Sequence, residues 1–284
     1  MSCNYSELIC YSDIKDKQMK KLAVVTILFC VANFTFAQVS SFDTKMLQKT
    51  LMKINESLYA SKYEVTNKEY IAFLDFLKEN KKGDKYLLAQ IDTAMWGSEL
   101  AYNEPYIQHY HTHLAYENYP VVNVDYDGAT LFCEWLTEQY NSNDKRKFEK
   151  VEFRLPSESE WIEAARGGNP VADYPWKGKS LKTNKGLYRC NFMRSKKDYT
   201  EDAVKLNNNA DVTAPSKSYW PNKYGLYNMS GNVAEMLAEK GSTKGGSWKD
   251  TEEAMKIDGD GKFAKFEKPM PTIGFRYFMV VIEK

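Results

Sequence analysis

The clearest periodic stretch of the chain begins at Thr66, after which Tyr70, Phe73, Leu74 and Leu77 recur at helical spacing on one stripe. Thr66 and Glu69 have the S/T-x-x-E spacing of a capping box, in which each side chain satisfies a free backbone N–H of the first turn. Lys81-Lys82-Gly83 closes this predicted helix with positive charge and a glycine. A second helix is predicted from about Asp127 to Tyr140, with Ala129, Phe132, Cys133, Leu136 and Tyr140 on one side. The apolar run Pro120–Val124 ahead of it reads as a short strand. A third helix opens on a second capping box, Ser157 and Glu160, just after Arg154-Leu155-Pro156. It turns Trp161, Ala164 and Ala165 inward and stops at Gly167-Gly168.

Beyond this point the pattern changes. Residues 169–284 are rich in Asn, Gly, Tyr and Lys, and only Phe275–Ile282 reads as a strand. So much irregular chain is unusual inside a compact domain. Bound metal ions or turn-closing side chains are the candidates for tying it down. Residues 38–56 read as a short, partly helical lead-in. With no linker, repeat or low-complexity run after it, 57–284 is expected to form one domain.

One apolar run has a different character. Lys20-Lys21 forms a positive start, Leu22–Val31 an apolar stretch, and Thr35-Phe36-Ala37 a small-residue exit. Residues 19–37 therefore read as a secretory signal peptide, too short to span a bilayer as a helix. Residues 1–18 resemble nothing in a mature protein, and Met19 is the expected natural start. The protein is expected to be exported, to the periplasm or the outer membrane, and not to be transmembrane after cleavage. Lipid attachment at Cys30 stays open, although bulky Phe29 is a poor match to the small residue usual before such a cysteine.

Charge narrows the partners. The 284 residues carry 39 basic and 38 acidic side chains, a formal net charge of +1. That balance argues against a nucleic-acid partner, which calls for a basic face. Of five cysteines, only Cys133 and Cys190 follow the signal segment. An exported compartment permits a disulfide between them, but Cys133 lies on an apolar helical face, where a small buried hydrophobe is the favoured role.

Several blocks then occur in order: Tyr63-Glu64-Val65-Thr66-Asn67, Pro120-Val121-Val122-Asn123-Val124, Phe153-Arg154-Leu155-Pro156-Ser157-Glu158-Ser159-Glu160-Trp161, Ala164-Ala165-Arg166-Gly167-Gly168 and Tyr174-Pro175-Trp176. Gly225-Leu226-Tyr227-Asn228-Met229-Ser230-Gly231-Asn232-Val233-Ala234-Glu235, Gly245-Gly246-Ser247-Trp248 and Gly274-Phe275-Arg276 complete the set. Together they resemble the formylglycine-generating-enzyme (sulfatase-modifying factor) family across residues 57–282. The resemblance implies an α+β, formylglycine-generating-enzyme-like fold related to C-type lectins, with little regular secondary structure. It also implies a cysteine pair that binds copper, since soft thiolates suit Cu(I). Those positions fall on Asp250 and Met255, so neither copper nor formylglycine formation is expected.

A narrower resemblance, carried by Tyr102–Tyr106, Ala115–Val122, Gly246-Ser247-Trp248-Lys249-Asp250 and Thr272–Arg276, is to the gliding-motility and type IX secretion lipoproteins of Bacteroidetes. It implies envelope or secretion-machinery proteins as partners. The family resemblance further implies calcium at Asn228, Gly231, Val233 and Glu235, a hard-oxygen set of side chains and backbone carbonyls. A second calcium site would use Asn191 and Phe192, with Asn208 and Ala210.

Three histidines sit together, at 109, 111 and 113. In an extended segment alternate residues share a face, so His109, His111 and His113 could converge on a transition metal. The flanking tyrosines fit structural or surface histidines instead, and this second role is favoured. Ser247 lacks a nucleophile-elbow frame, and Asp258-Gly259-Asp260-Gly261 is too short for an EF-hand loop. Two functions stay open: a non-catalytic structural or binding component of an envelope assembly, or an enzyme of the same superfamily with different, metal-assisted oxidoreductase chemistry.

Overall fold

The computed structural model describes residues 44–98, 103–194, 212–261 and 264–284. Residues 1–18, the signal segment 19–37, and the ligand candidates Asn208 and Ala210 lie outside the described residues.

A short helix α1 (Thr44–Thr50) leads into β1 (Leu51–Lys53) and its antiparallel neighbour β2 (Leu58–Ser61). The lead-in therefore contributes a strand to the domain rather than only preceding it. Helix α2 (Asn67–Glu79) starts on the predicted capping box, with Thr66 accepting from the Glu69 N–H and Glu69 accepting from the Thr66 N–H. Tyr70, Phe73, Leu74 and Leu77 are buried, as the stripe requires. Helix α3 (Gly83–Ala89) and the short α4 (Glu104–His109) follow, then α5 (Tyr126–Asn141), one residue longer at each end than its pattern predicts. Helices α2 and α5 meet through aromatic rings: Phe73 and Phe132 pack edge-on at 5.6 Å, and Phe132 meets Phe275 at 5.5 Å. Each such side chain, fully buried, contributes about 1.5–3 kcal/mol.

The predicted strand at Pro120–Val124 does not form. Only Pro120 bridges, to Thr66. Val121, Val122 and Val124 are buried, but Asn123 adopts a left-handed φ of 60°, which breaks any ladder there. Strand β3 (Lys150–Arg154) and helix α6 (Glu158–Arg166) follow. The second capping box is present at Ser157 and Glu160, and Gly167 ends the helix with a left-handed φ of 57°.

The remaining strands are short: β4 (Ala234–Met236), β5 (Thr243–Lys244), β6 (Ile273–Gly274) and β7 (Phe278–Glu283). The predicted terminal strand thus begins later, at Phe278. An antiparallel sheet runs β1-β2-β7-β3, and a smaller one runs β5-β4-β6 with β4 and β6 parallel. Trp161 joins Leu58, Ala60, Phe278 and Ile257 in the core between α6 and the larger sheet. Among the described residues no helix is long and apolar enough to cross a membrane. Cys133 and Cys190 are both buried and free, and burial pushes each thiol above its ordinary range.

Candidate functional site

The Gly-Gly-Ser-Trp turn is held from two sides. Gly245 and Gly246 adopt φ of 95° and 69°. A Cβ on Gly246 would lie 2.5 Å from Met255 Cε and 2.9 Å from the Ala254 carbonyl. Only glycine brings this backbone so near. The turn then closes on itself. The Ser247 N–H and Oγ both donate to Asp250 Oδ2, at 2.9 and 2.7 Å, and the Asp250 N–H donates to the Ser247 carbonyl at 3.0 Å. Asp250 is buried, and its carbonyl accepts from the Met193 N–H at 2.9 Å.

Met255 is fully buried. It packs with Tyr174, Tyr188, Cys190 and Phe192, and its carbonyl accepts from Ser230 Oγ at 2.7 Å. A cavity of about 530 Å³ opens next to these residues, lined by Lys182, Tyr188, Arg194 and the Thr251–Glu253 turn. Ser247, Asp250 and Met255 are not part of its lining.

Behind the turn lies a buried polar core with two carboxylates and one guanidinium. Arg276 Nε donates to both oxygens of Glu235, at 3.0 and 2.9 Å, and Nη2 adds a bond of 2.6 Å. Trp161 Nε1 donates to Glu235 Oε2 at 2.7 Å. The other guanidinium donors go to the carbonyls of Ser61 and Tyr227. Glu64 receives amides only: Asn228 Nδ2 at 2.9 Å and Asn232 Nδ2 at 2.9 and 3.1 Å. Burial first, then the negative charge of Glu235, pushes the Glu64 carboxyl up to about 8, against the pull of Asn228, Arg276 and Asn232.

The sequence candidates distribute across this core unevenly. Asn228 is buried and donates to Glu64 and to the Ser216 carbonyl. Gly231 and Val233 lie on the same loop, both buried. Glu235, expected as the carboxylate of a calcium set, instead spends both oxygens on Arg276 and Trp161. A guanidinium already neutralises it, so it does not fit as the anionic ligand. The carboxyl without a cationic hydrogen-bond partner is Glu64, which was absent from the sequence set. No alternation marks it, since β2 ends at Ser61, bends follow at 62 and 63, and Ser61 and Val65 of the opposite parity are buried as well. Asn191 donates to the Val212 carbonyl at 2.7 Å and to Asn232 Oδ1 at 3.2 Å, while its own carbonyl accepts from the Asn232 N–H. Phe192 packs in the Met255 cluster.

The three histidines do not converge on one point, although the rings of His109 and His113 lie 6.1 Å apart. Glu104-Pro105 starts a helix rather than an extended segment, so helical geometry replaces alternation. His109 is exposed at the end of α4. His113 caps the following turn, its Nδ1 accepting from the Ala115 N–H at 3.1 Å. His111 is buried, with Nδ1 2.9 Å from Asn67 Oδ1, and burial pushes its pKa down to about 3. Among the described residues, no three His, Cys, Asp or Glu side chains group to hold a metal.

The profile of the sulfatase-modifying factor enzyme 1-like domain matches residues 26–281. The chain belongs to this family. The formylglycine-generating enzyme of Thermomonospora curvata is 37% identical over 148 residues, covering 51% of this chain and 40% of the relative. The inactive C-alpha-formylglycine-generating enzyme 2 of Bos taurus is 31% identical over 142 residues, covering 47% and 40%. The match thus spans less than half the length of these relatives. Among solved structures, CarF aligns with a TM-score of 0.51 at 24% identity, over 79% of this chain and 86% of that one. That likeness supports the shared fold. The family's α+β architecture is therefore the one found here. Within it, the turn that the resemblance assigns to paired thiols carries Asp250 and Met255.

Proposed function

We propose that this protein is a non-catalytic sulfatase-modifying-factor domain, exported and serving as a structural or binding component of a cell-envelope assembly of the gliding or type IX secretion kind. One observation carries the non-catalytic part. Asp250 accepts two bonds from Ser247 inside its own turn, and Met255 is packed into the core. Neither side chain reproduces a thiolate pair for a soft metal. A relative named as an inactive formylglycine-generating enzyme is in keeping with this reading. The envelope role rests on the Lys249-Asp250 ending of the turn motif and on the signal-like segment 19–37.

Calcium belongs to the same proposal, with a changed ligand set. Glu64 and Asn228 would hold the ion together with backbone carbonyls of the Gly231–Val233 loop, and its charge would neutralise Glu64. The ion would be structural, joining the loop to the start of α2.

Two experiments test the reading. The purified protein, supplied with copper and a cysteine-containing sulfatase-type peptide, should leave the peptide mass unchanged; conversion of the cysteine to formylglycine would refute the non-catalytic assignment. Cell fractionation with affinity capture should recover the protein with envelope or secretion-machinery proteins. A purely cytoplasmic, partner-free protein would refute the envelope role.

A further inference from the structure

Charge is one-sided on the segment that starts at Tyr174. Residues 174–190 hold four lysines, one arginine and no carboxylate, in a chain whose formal net charge is +1. Part of this segment is a tight hairpin. Lys182 bridges to Tyr188, the Thr183 N–H donates to the Leu187 carbonyl at 2.8 Å, and the Arg189 N–H donates to the Leu181 carbonyl at 2.8 Å. Thr183 Oγ1 accepts from the Lys185 and Leu187 N–H groups and closes the turn. Among the described residues, no atom lies within 4 Å of a Cβ built at Gly178 or Gly186, so the backbone there borders open space. Two of the five cations are engaged: Lys179 faces Asp173 at 3.5 Å, and Lys182 lies over the Tyr188 ring. Lys177 and Lys185 are exposed, and neither they nor Arg189 form an ion pair among the described residues. Arg189 is held in place, with Nε donating to the Lys182 carbonyl at 3.4 Å and Cζ 6.0 Å from the Trp176 ring centroid. Its Nη groups have no partner among the described residues. Burial and then the Glu252 charge push the Tyr174 phenol up, so the acidic 252–253 turn lies at the Tyr174 end of the segment.

A guanidinium held at Nε presents its Nη edge, which pairs a carboxylate through two parallel N–H bonds. What the segment lacks narrows the ligand further. None of its large apolar side chains is exposed: Leu181 and Tyr188 are buried, and half-buried Trp176 stacks on Tyr174 at 5.2 Å. A protein partner calls for an aromatic or apolar anchor. A single-stranded nucleic acid calls for open stacking faces, and a bilayer surface for apolar area beside the charge. A hydrated polyanion needs only charge and hydrogen bonds. We propose that this hairpin is a docking surface for an acidic polysaccharide. One uronate carboxylate would pair with Arg189, and neighbouring carboxylates along the polymer would meet Lys177 and Lys185. The inference goes beyond the envelope reading and depends on it only for a supply of such polymers at the cell surface.

The test is calorimetric titration of the full-length protein with polygalacturonate, and with neutral dextran of the same length. Polygalacturonate should bind and dextran should not. Raising the salt from about 0.05 to about 0.5 M should weaken the binding at least about tenfold, since exposed charges are screened. The K177Q/K185Q variant alters two exposed side chains and should weaken polygalacturonate about tenfold at low salt, through lost charge alone. Arg189→Lys keeps the charge and loses the fork, so it should weaken binding and leave the salt dependence unchanged. If that variant does not fold, the K177Q/K185Q result decides. Absence of saturable binding, equal affinity for dextran, or an affinity unchanged in K177Q/K185Q would each overturn the proposal. Tighter binding to phosphatidylglycerol vesicles or to a single-stranded oligonucleotide than to polygalacturonate would overturn it as well. A cytoplasmic location on cell fractionation would remove the envelope reading and leave these affinities as they are.

Discussion

Ser247 Oγ donates to Asp250 Oδ2 at 2.7 Å, and the Ser247 backbone N–H reaches the same oxygen. One carboxylate oxygen therefore satisfies two donors in a buried turn. Asp250→Ala strands both, at about 1–3 kcal/mol for each buried donor left without a partner. The urea midpoint should fall with an unchanged slope. An unchanged midpoint would show that the turn closes without the carboxylate.

Arg276 and Glu235 form the most buried ion pair of the described residues, at 0% and 1% side-chain exposure. Arg276→Met leaves Glu235 charged and unpaired, at a cost of about 3–5 kcal/mol. The double change Arg276→Met with Glu235→Met removes that charge and should be milder than the single one. A double variant less stable than Arg276→Met would mean that the pair does more than neutralise itself.

Two buried groups set opposite limbs of the stability profile against pH. The Glu64 carboxyl is raised from 4.5 to about 8, so the folded state binds a proton that the unfolded state releases. Its contribution is full below 4.5 and is lost as the pH rises towards 8. His111 is lowered from 6.5 to about 3, so its contribution is full above 6.5 and is lost as the pH falls towards 3. In chelator, Glu64→Gln should therefore flatten the alkaline limb and His111→Gln the acid limb. Melting curves across pH 4–9 read both, and a Glu64→Gln profile parallel to the parent would disprove the first assignment.

Calcium should raise the melting temperature most at pH 8, where the ion replaces the departing proton on Glu64, since a ligand bound only by the native state stabilises it. Glu64→Gln should abolish that rise. A calcium response intact in Glu64→Gln would exclude Glu64 as a ligand.

Glycine replacements should differ by what stands opposite. At Gly246 an added Cβ meets the flexible end of Met255 as well as the Ala254 carbonyl, whereas at Gly231 it overlaps the Asn191 backbone carbonyl, which cannot move aside. Both carry positive φ, adding about 1–3 kcal/mol for a non-glycine residue. Gly231→Ala should be the more damaging of the two in urea. The reverse order would mean that the Asn191 segment yields more readily than Met255.

Much of the helical half was legible because local rules govern it. Two capping boxes and the stripe at Tyr70, Phe73, Leu74 and Leu77 depend on neighbours three or four residues away. The strand expected at Pro120–Val124 failed for a local reason that composition hides, the left-handed backbone of Asn123. The turn-closing role of Asp250 was not read from the sequence, where it stood only at the position of a missing cysteine, and it appears with the two Ser247 bonds. The polar core was the least legible part. Glu64 and Asn232 are 168 residues apart, and Glu235 and Arg276 are 41 apart. Which carboxylate receives the guanidinium and which receives amides is decided only when those segments meet. Glu235, the carboxylate expected for calcium, is thus taken up by Arg276, and the three histidines hold the structural and surface places favoured for them because Glu104-Pro105 starts a helix rather than an extended segment.

The irregular half is held by side-chain amides rather than by ladders. Asn232 alone receives the Ala214 N–H at its side chain, donates its own N–H to the Asn191 carbonyl, and accepts the Trp248 N–H at its carbonyl. Three loops thus share one residue, and none can open without releasing the others. Hydrogen exchange at Ala214, Asn232 and Trp248 should therefore be slow and of equal free energy, as in a single cooperative unit, although these amides belong to no helix or strand. A coil in the topological sense would then behave in solution as the most solid part of the molecule.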